Sequence, residues 1–152
     1  MTTGSASVVI NRDPQTVFAA VSDITRTGEF SPECVSGRWV GGATGPAVGA
    51  KFEGDNELKV AGMTLKKWTT TSEVTACVPG EVFEFIAEGY TTWRYQLEPV
   101  SGGTKLTESF DYAEANGLKK FMVDTVSRRP GSMTKGMQKT LDQMKTHLES
   151  QG

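Results

Sequence analysis

One histidine, two cysteines and no long apolar run in 152 residues each close off a class of function. A lone His147 with no Cys-x-x-Cys pair argues against a zinc site. Set near the C-terminus without an evident neighbourhood, His147 also leaves no Ser-His-Asp arrangement to argue for. Cys34 and Cys77 are too far apart in sequence to outline a disulfide framework, and both read as thiols of a cytosolic protein. No stretch approaches the ~20 apolar residues of a transmembrane helix. The polar start, Met1 to Ser7, lacks the basic-then-apolar pattern of a secretory signal, so the expected location is cytoplasmic. Positive charge is thin and dispersed. The net charge is −2, and Lys66-Lys67, Lys119-Lys120 and Arg128-Arg129 are separate pairs diluted by acids, which argues against a nucleic-acid surface. Gly41-Gly42 and Gly102-Gly103 lack the strand-loop-helix context and the lysine of a phosphate-binding loop. No internal repeat and no dividing linker is visible, so residues 1–152 read as one domain. No cofactor and no metal are expected.

What is present is alternation, over Phe52 to Tyr112. Phe52, Gly54, Asn56 and Leu58 share one side of the first run; Trp68, Thr70, Ser72, Val74 and Ala76 share one side of the next. Phe83 and Phe85 follow, then Trp93, Tyr95 and Leu97, then Leu106, Glu108, Phe110 and Tyr112. This period of two predicts half-buried antiparallel strands. Their inward face carries Asn56, Thr70, Ser72 and Glu108 among large aromatics. A solid core avoids such groups because an unpaired buried polar atom is costly; a cavity that holds a ligand uses them.

Around this meander, Ala6 to Asn11 reads as a strand. Asp13 reads as the N-cap and Pro14 as the first residue of a helix ending near Asp23. Ile24 to Phe30 reads as a second short helix weakened by Gly28, and Cys34 to Val40 as a further strand. Turns are expected at 60–63, 78–81, 87–90 and 99–103. Leu118 to Val126 has helical character, and Ser132 to Ser150 reads as a final amphipathic helix. Its stripe is Met133, Met137, Leu141, Met144 and Leu148. Most such stripes simply pack on a sheet, but methionine is also over-used at adaptable binding surfaces.

The chain resembles the START/Bet v 1-like (SRPBCC) superfamily, in its bacterial polyketide cyclase/dehydrase-like branch. The resemblance is carried by Asp13-Pro14 with Val17-Phe18, Val21-Ser22-Asp23-Ile24, Ser31-Pro32-Glu33, and the run Val48 to Asn56. It continues through Trp68, Val74, Pro79-Gly80, Trp93-Arg94-Tyr95, Gly102-Gly103-Thr104, Thr107-Glu108-Ser109 and Thr140-Leu141. It implies an α+β helix-grip fold: a strongly bent antiparallel sheet of about seven strands around the long C-terminal helix, with two short helices after the first strand. It also implies a hydrophobic cavity between sheet and helix, and does not by itself name a chemistry.

The expected function is therefore binding of a small hydrophobic or amphipathic molecule: a lipid, a polyketide-like aromatic or an isoprenoid. Asn56, Trp68, Thr70, Phe85, Trp93, Tyr95, Phe110, Met133 and Met137 are the expected ligand-binding residues. Asn56 reads equally as a ligand partner or as an amide tied to backbone, and Trp93 as a cavity wall or as interior filling. The alternative is a cyclase/dehydratase-type enzyme using the same cavity, with Glu108 and Tyr95 moving protons or polarising a carbonyl. Glu108 should lie across from Trp93 or Tyr95. It either sits buried with a raised pKa or reaches the rim to pair with a cation. Asp23 and Ser31 read as caps or turn formers, and His147 as a solvent-side residue favoured by the helix dipole. An interaction module would need an exposed apolar patch, which the charged or hydroxylated outward strand positions do not offer. The expected partner is thus a small hydrophobic ligand, without nucleic acid or stable membrane insertion, for a monomer or homodimer.

Overall fold

A computed structural model of the chain describes residues 2–112 and 130–151. Seven antiparallel strands form one sheet. They are β1 (Thr2–Ile10), β2 (Cys34–Val40), β3 (Lys51–Val60), β4 (Met63–Val78), β5 (Val82–Ala87), β6 (Thr91–Val100) and β7 (Gly103–Tyr112), in the spatial order β1-β7-β6-β5-β4-β3-β2. Between β1 and β2 come helix α1 (Pro14–Ser22), a 3-10 turn (Ile24–Arg26) and the one-turn helix α2 (Thr27–Phe30). Helix α3 (Pro130–Ser150) closes the fold, which is of the α+β helix-grip kind. The first strand begins at Thr2 rather than Ala6, because β7 supplies backbone partners along its whole length, from Tyr112 opposite Thr2 to Thr104 opposite Ile10. Leu118 to Val126 lies outside the described residues.

Local chemistry sets the element ends. The Asp13 carboxylate accepts from Thr16 N at 3.1 Å and from Thr16 Oγ1 at 2.6 Å, capping α1. Asp23 does the same for the 3-10 turn through Thr25 N at 3.1 Å. Ser31 Oγ accepts from the backbone of Glu33 and Cys34, turning the chain into β2. On α3, Met137, Leu141, Met144 and Leu148 are all buried. Two apolar clusters result. One joins α1, α2, the sheet and the second half of α3 through Val17, Phe30, Phe83, Leu106, Leu141 and Leu148. The other gathers Phe110, Tyr112 and Met137 with Trp93.

One inward position differs from simple alternation. A register shift between Val74 and Ala76 pairs Cys77, not Ala76, with Phe83. Cys77 therefore packs against the core and Ala76 does not. A bulge reverses the facing of everything beyond it.

The short helices lie very close to β2. A Cβ on Gly28 would meet the Val35 carbonyl oxygen at 2.2 Å, and one on Gly37 would meet the Ile24 carbonyl oxygen at 2.3 Å. Gly28 is thus a packing requirement rather than only a weak point in a helix. Gly28→Ala is expected to destabilise the protein by about 2 kcal/mol or more, although alanine is the better helix former by about 1 kcal/mol. Denaturant unfolding reads the change directly; a variant more stable than the parent would show that the backbone contact is not tight.

Candidate functional site

A cavity of ≈ 460 Å³ lies between the concave face of the sheet, the α1–α2 segment and α3. Its walls draw on both apolar clusters, with Phe30, Phe83 and Met144 from one and Met137 from the other. This volume is typical of a small-molecule pocket.

Tyr95 and Glu108 meet in its wall. Strands β6 and β7 pair with Tyr95 opposite Glu108, so both side chains leave the sheet on the same side. The Tyr95 hydroxyl donates to Glu108 Oε2 at 3.0 Å. Glu108 is 5% exposed, and its Oε1 has no hydrogen-bond partner among the described residues. Arg94, on the opposite face of β6, is committed to Glu84. Burial therefore dominates and pushes the Glu108 carboxyl up to about 8, against the smaller opposing effect of the Tyr95 hydrogen bond. At pH 7 the group is mostly a neutral acid with a proton to donate. The Tyr95 phenol is pushed well above its usual value by burial, then by Glu108 and Cys34.

Asn56 sits opposite Trp68. Its amide nitrogen donates to the Gly54 carbonyl at 3.1 Å and to Thr70 Oγ1 at 3.3 Å. The residue is thus tied to backbone and also forms part of the cavity wall. Trp68, Thr70, Phe85, Trp93, Tyr95, Glu108 and Met137 all line the cavity as well. Trp93 serves in both ways considered for it, since it also packs on Phe110 with ring centroids 5.4 Å apart.

Phe110 is not among the lining residues. It is drawn toward β1, where it pairs with Gly4, and a Cβ there would lie 2.4 Å from the Phe110 ring. The ring fills the space a side chain on Gly4 would take, in the core beside the cavity. The side chain of Met133 lies outside what the structure describes. His147 is not simply solvent-facing: its ring meets Phe30 edge-on at 5.5 Å, and Nε2 lies 3.2 Å from Glu29 Oε1, joining α3 to α2.

Several wall residues have no counterpart among the candidates from sequence. Val21, Ile24 and Phe30 come from the short helices, and Gly136 and Thr140 from α3. Gly136 carries a visible signal, since glycine inside a helix costs about 1 kcal/mol relative to alanine and calls for a reason. Cys34 also lines the cavity, opposite Asn56 in the β2–β3 pairing. Its thiol is pushed up to about 11, chiefly by burial, and so is a weak nucleophile near neutral pH. Among the described residues, no group of three or more His, Cys, Asp or Glu side chains is placed to hold a metal ion.

Residues 1–149 match the family model described as polyketide cyclase / dehydrase and lipid transport. The chain belongs to this family, within the SRPBCC superfamily. The uncharacterized protein Rv0088 of Mycobacterium tuberculosis is 34% identical over 119 residues, which are 76% of this chain and 50% of that protein. The chain thus spans about half the length of the curated relatives it matches. The solution structure of the Polyketide_cyc-like protein Cgl2372 from Corynebacterium glutamicum is 33% identical, with a TM-score of 0.65 over 98% of this chain and 92% of that one. The AHSA1-like protein from Aeromonas hydrophila is 21% identical, with a TM-score of 0.70 over 99% of this chain and 94% of that one, and is similar in fold. Family and fold together support a ligand-binding role in general. No helix among the described residues is long and apolar enough to cross a membrane.

Proposed function

We propose that this SRPBCC domain binds a small hydrophobic or amphipathic molecule, such as a lipid, a polyketide-like aromatic or an isoprenoid, and anchors its polar end on Glu108. The observation that carries this reading is the Oε1 of a buried acid, without a partner among the described residues, at the wall of an otherwise largely apolar cavity. A neutral carboxyl donates to a ligand carbonyl, and Tyr95 holds the other carboxyl oxygen in place. Asn56 and Thr70 are largely occupied with each other and with backbone. Specificity on this reading falls mainly to Glu108, with aromatic walls at Trp68, Phe85 and Trp93.

The reading is tested by native mass spectrometry with a long-chain ketone and the hydrocarbon of equal length. Both should form one-to-one adducts, the ketone more tightly. Glu108→Leu should weaken the ketone about tenfold, the worth of one buried hydrogen bond, and leave the hydrocarbon unchanged. Equal responses of the two ligands would remove the anchor, and no adduct with either would remove the binding reading.

A cyclase/dehydratase-type reaction in the same cavity is the second reading, favoured by the hydrogen-bonded pair of Glu108 and Tyr95. It differs in one result: Glu108→Gln would bind substrate and not turn it over, because an amide cannot exchange the proton.

A further inference from the structure

The hairpin between β3 and β4 runs on after its neighbours stop. Strand β2 pairs with β3 only as far as Cys34 opposite Asn56, and β5 meets β4 only from Ala87 opposite Ser72. Apart from the bond at its base from Glu57 N to the Glu33 carbonyl (2.9 Å), residues 57–69 therefore project as a two-stranded ribbon, closed by Ala61 and Gly62, both at positive φ. Its end is apolar. Leu58, Val60, Met63 and Leu65 are between 39% and 67% exposed, and they are four of the eight exposed large hydrophobics among the described residues. The other four are spread over separate elements. An apolar cluster concentrated on a projecting ribbon marks an interaction surface.

The charge on the same ribbon tells what it meets. Lys59, Lys66 and Lys67 stand against the single acid Glu57, in a chain whose net charge is −2. Lysines beside exposed aliphatic side chains match an anionic lipid surface, where the apolar groups enter the headgroup boundary and the ammonium groups meet phosphates. A second copy of the chain is a poor match, because a symmetric contact would bring the two sets of lysines together. The ribbon also leads to the cavity. Leu58 and Lys66, opposite each other at its base, line the cavity together with Pro32 and Glu33.

We propose that the 57–69 ribbon docks the protein on an anionic bilayer, with the cavity mouth next to the membrane. The docking stands on the ribbon alone; that it loads the cavity from the membrane rests on the ligand-binding reading above.

The test is flotation with vesicles of phosphatidylcholine alone and of phosphatidylcholine mixed with phosphatidylglycerol. The protein should float with the anionic vesicles and be released by salt. Removing the charges at Lys59→Ala and Lys67→Ala should lower partitioning about 25-fold, roughly five-fold for each lysine. Met63→Ser with Leu65→Ser should lower it about tenfold or more. None of these four positions lines the cavity, so ketone adducts should persist in both variants. Vesicle binding without ketone binding would leave docking intact and remove the ligand reading. Docking is overturned if the protein floats with neither vesicle, or if the variants float like the parent. It is equally overturned if Met63→Ser with Leu65→Ser instead abolishes a dimer that shows no vesicle binding.

Discussion

Met137→Trp is expected to weaken binding of a neutral apolar fluorophore about hundredfold or more, while the protein stays folded. Met137 is 3% exposed, on the face of α3 that closes the cavity. In a filled core such an enlargement costs about 1–3 kcal/mol of overpacking. Here the indole has the cavity to enter, so the cost falls on the ligand's space rather than on the fold. Fluorescence titration reads the loss, and thermal melting confirms that the variant is native. Phe110→Leu is the contrasting change. It removes packing from the neighbouring cluster and should lower stability with little effect on the fluorophore. Binding that survives Met137→Trp at full strength would mean that the probe sits elsewhere.

The second large effect is on stability against pH. In the unfolded chain the Glu108 carboxyl has its ordinary value of 4.5; in the folded protein burial holds it at about 8. Below pH 4.5 it is protonated in both states and costs nothing. As pH rises through the window from 4.5 to 8, the unfolded chain releases the proton and the folded protein does not, so stability is lost progressively. At about 1.4 kcal/mol per pH unit, the total is on the order of 5 kcal/mol. Glu108→Gln has no such proton. The stability difference between parent and variant should therefore shift toward the variant by most of this amount, about 4 kcal/mol, between pH 5 and pH 8.5, read from guanidinium unfolding at both pH values. Other titrating groups are common to both proteins and cancel. Parallel pH dependences would mean that the carboxyl ionises freely in the folded state and is not a proton donor to a ligand.

Much of this site is legible because strand alternation is local. Asn56 does face Trp68, but the reversal at Ala61-Gly62 alone would set it opposite Lys67; a register shift between Leu58 and Lys59, which leaves Leu65 without a partner, supplies the extra residue. A turn anywhere within 99–103 allows Glu108 to face either Trp93 or Tyr95. The actual reversal is at Ser101-Gly102, flanked by Val100 and Gly103, and this alone puts Tyr95 opposite Glu108. What sequence could not supply are contacts between distant segments. That Phe110 fills solid core follows from Gly4 on β1, more than 100 positions away. That Gly28 admits β2, and that His147 reaches Glu29 and Phe30, are equally non-local. The shift past Val74 that turns Cys77 inward has no residue signature among Thr75 and Ala76. Leu58 has the parity of an inward residue and still reaches solvent, since the strands that would cover the ribbon end before it.

The most direct test of the central claim is nuclear magnetic resonance mapping of a bound long-chain ketone on isotopically labelled protein. The largest shifts are expected to cluster on Asn56, Thr70, Phe85, Trp93, Tyr95, Glu108, Met137 and Thr140, with the Glu108 carboxyl carbon moving most and the carboxyl remaining protonated at pH 7. Shifts confined to the outer face of the sheet, or a Glu108 carboxyl that is ionised at pH 7 and indifferent to the ketone, would contradict it.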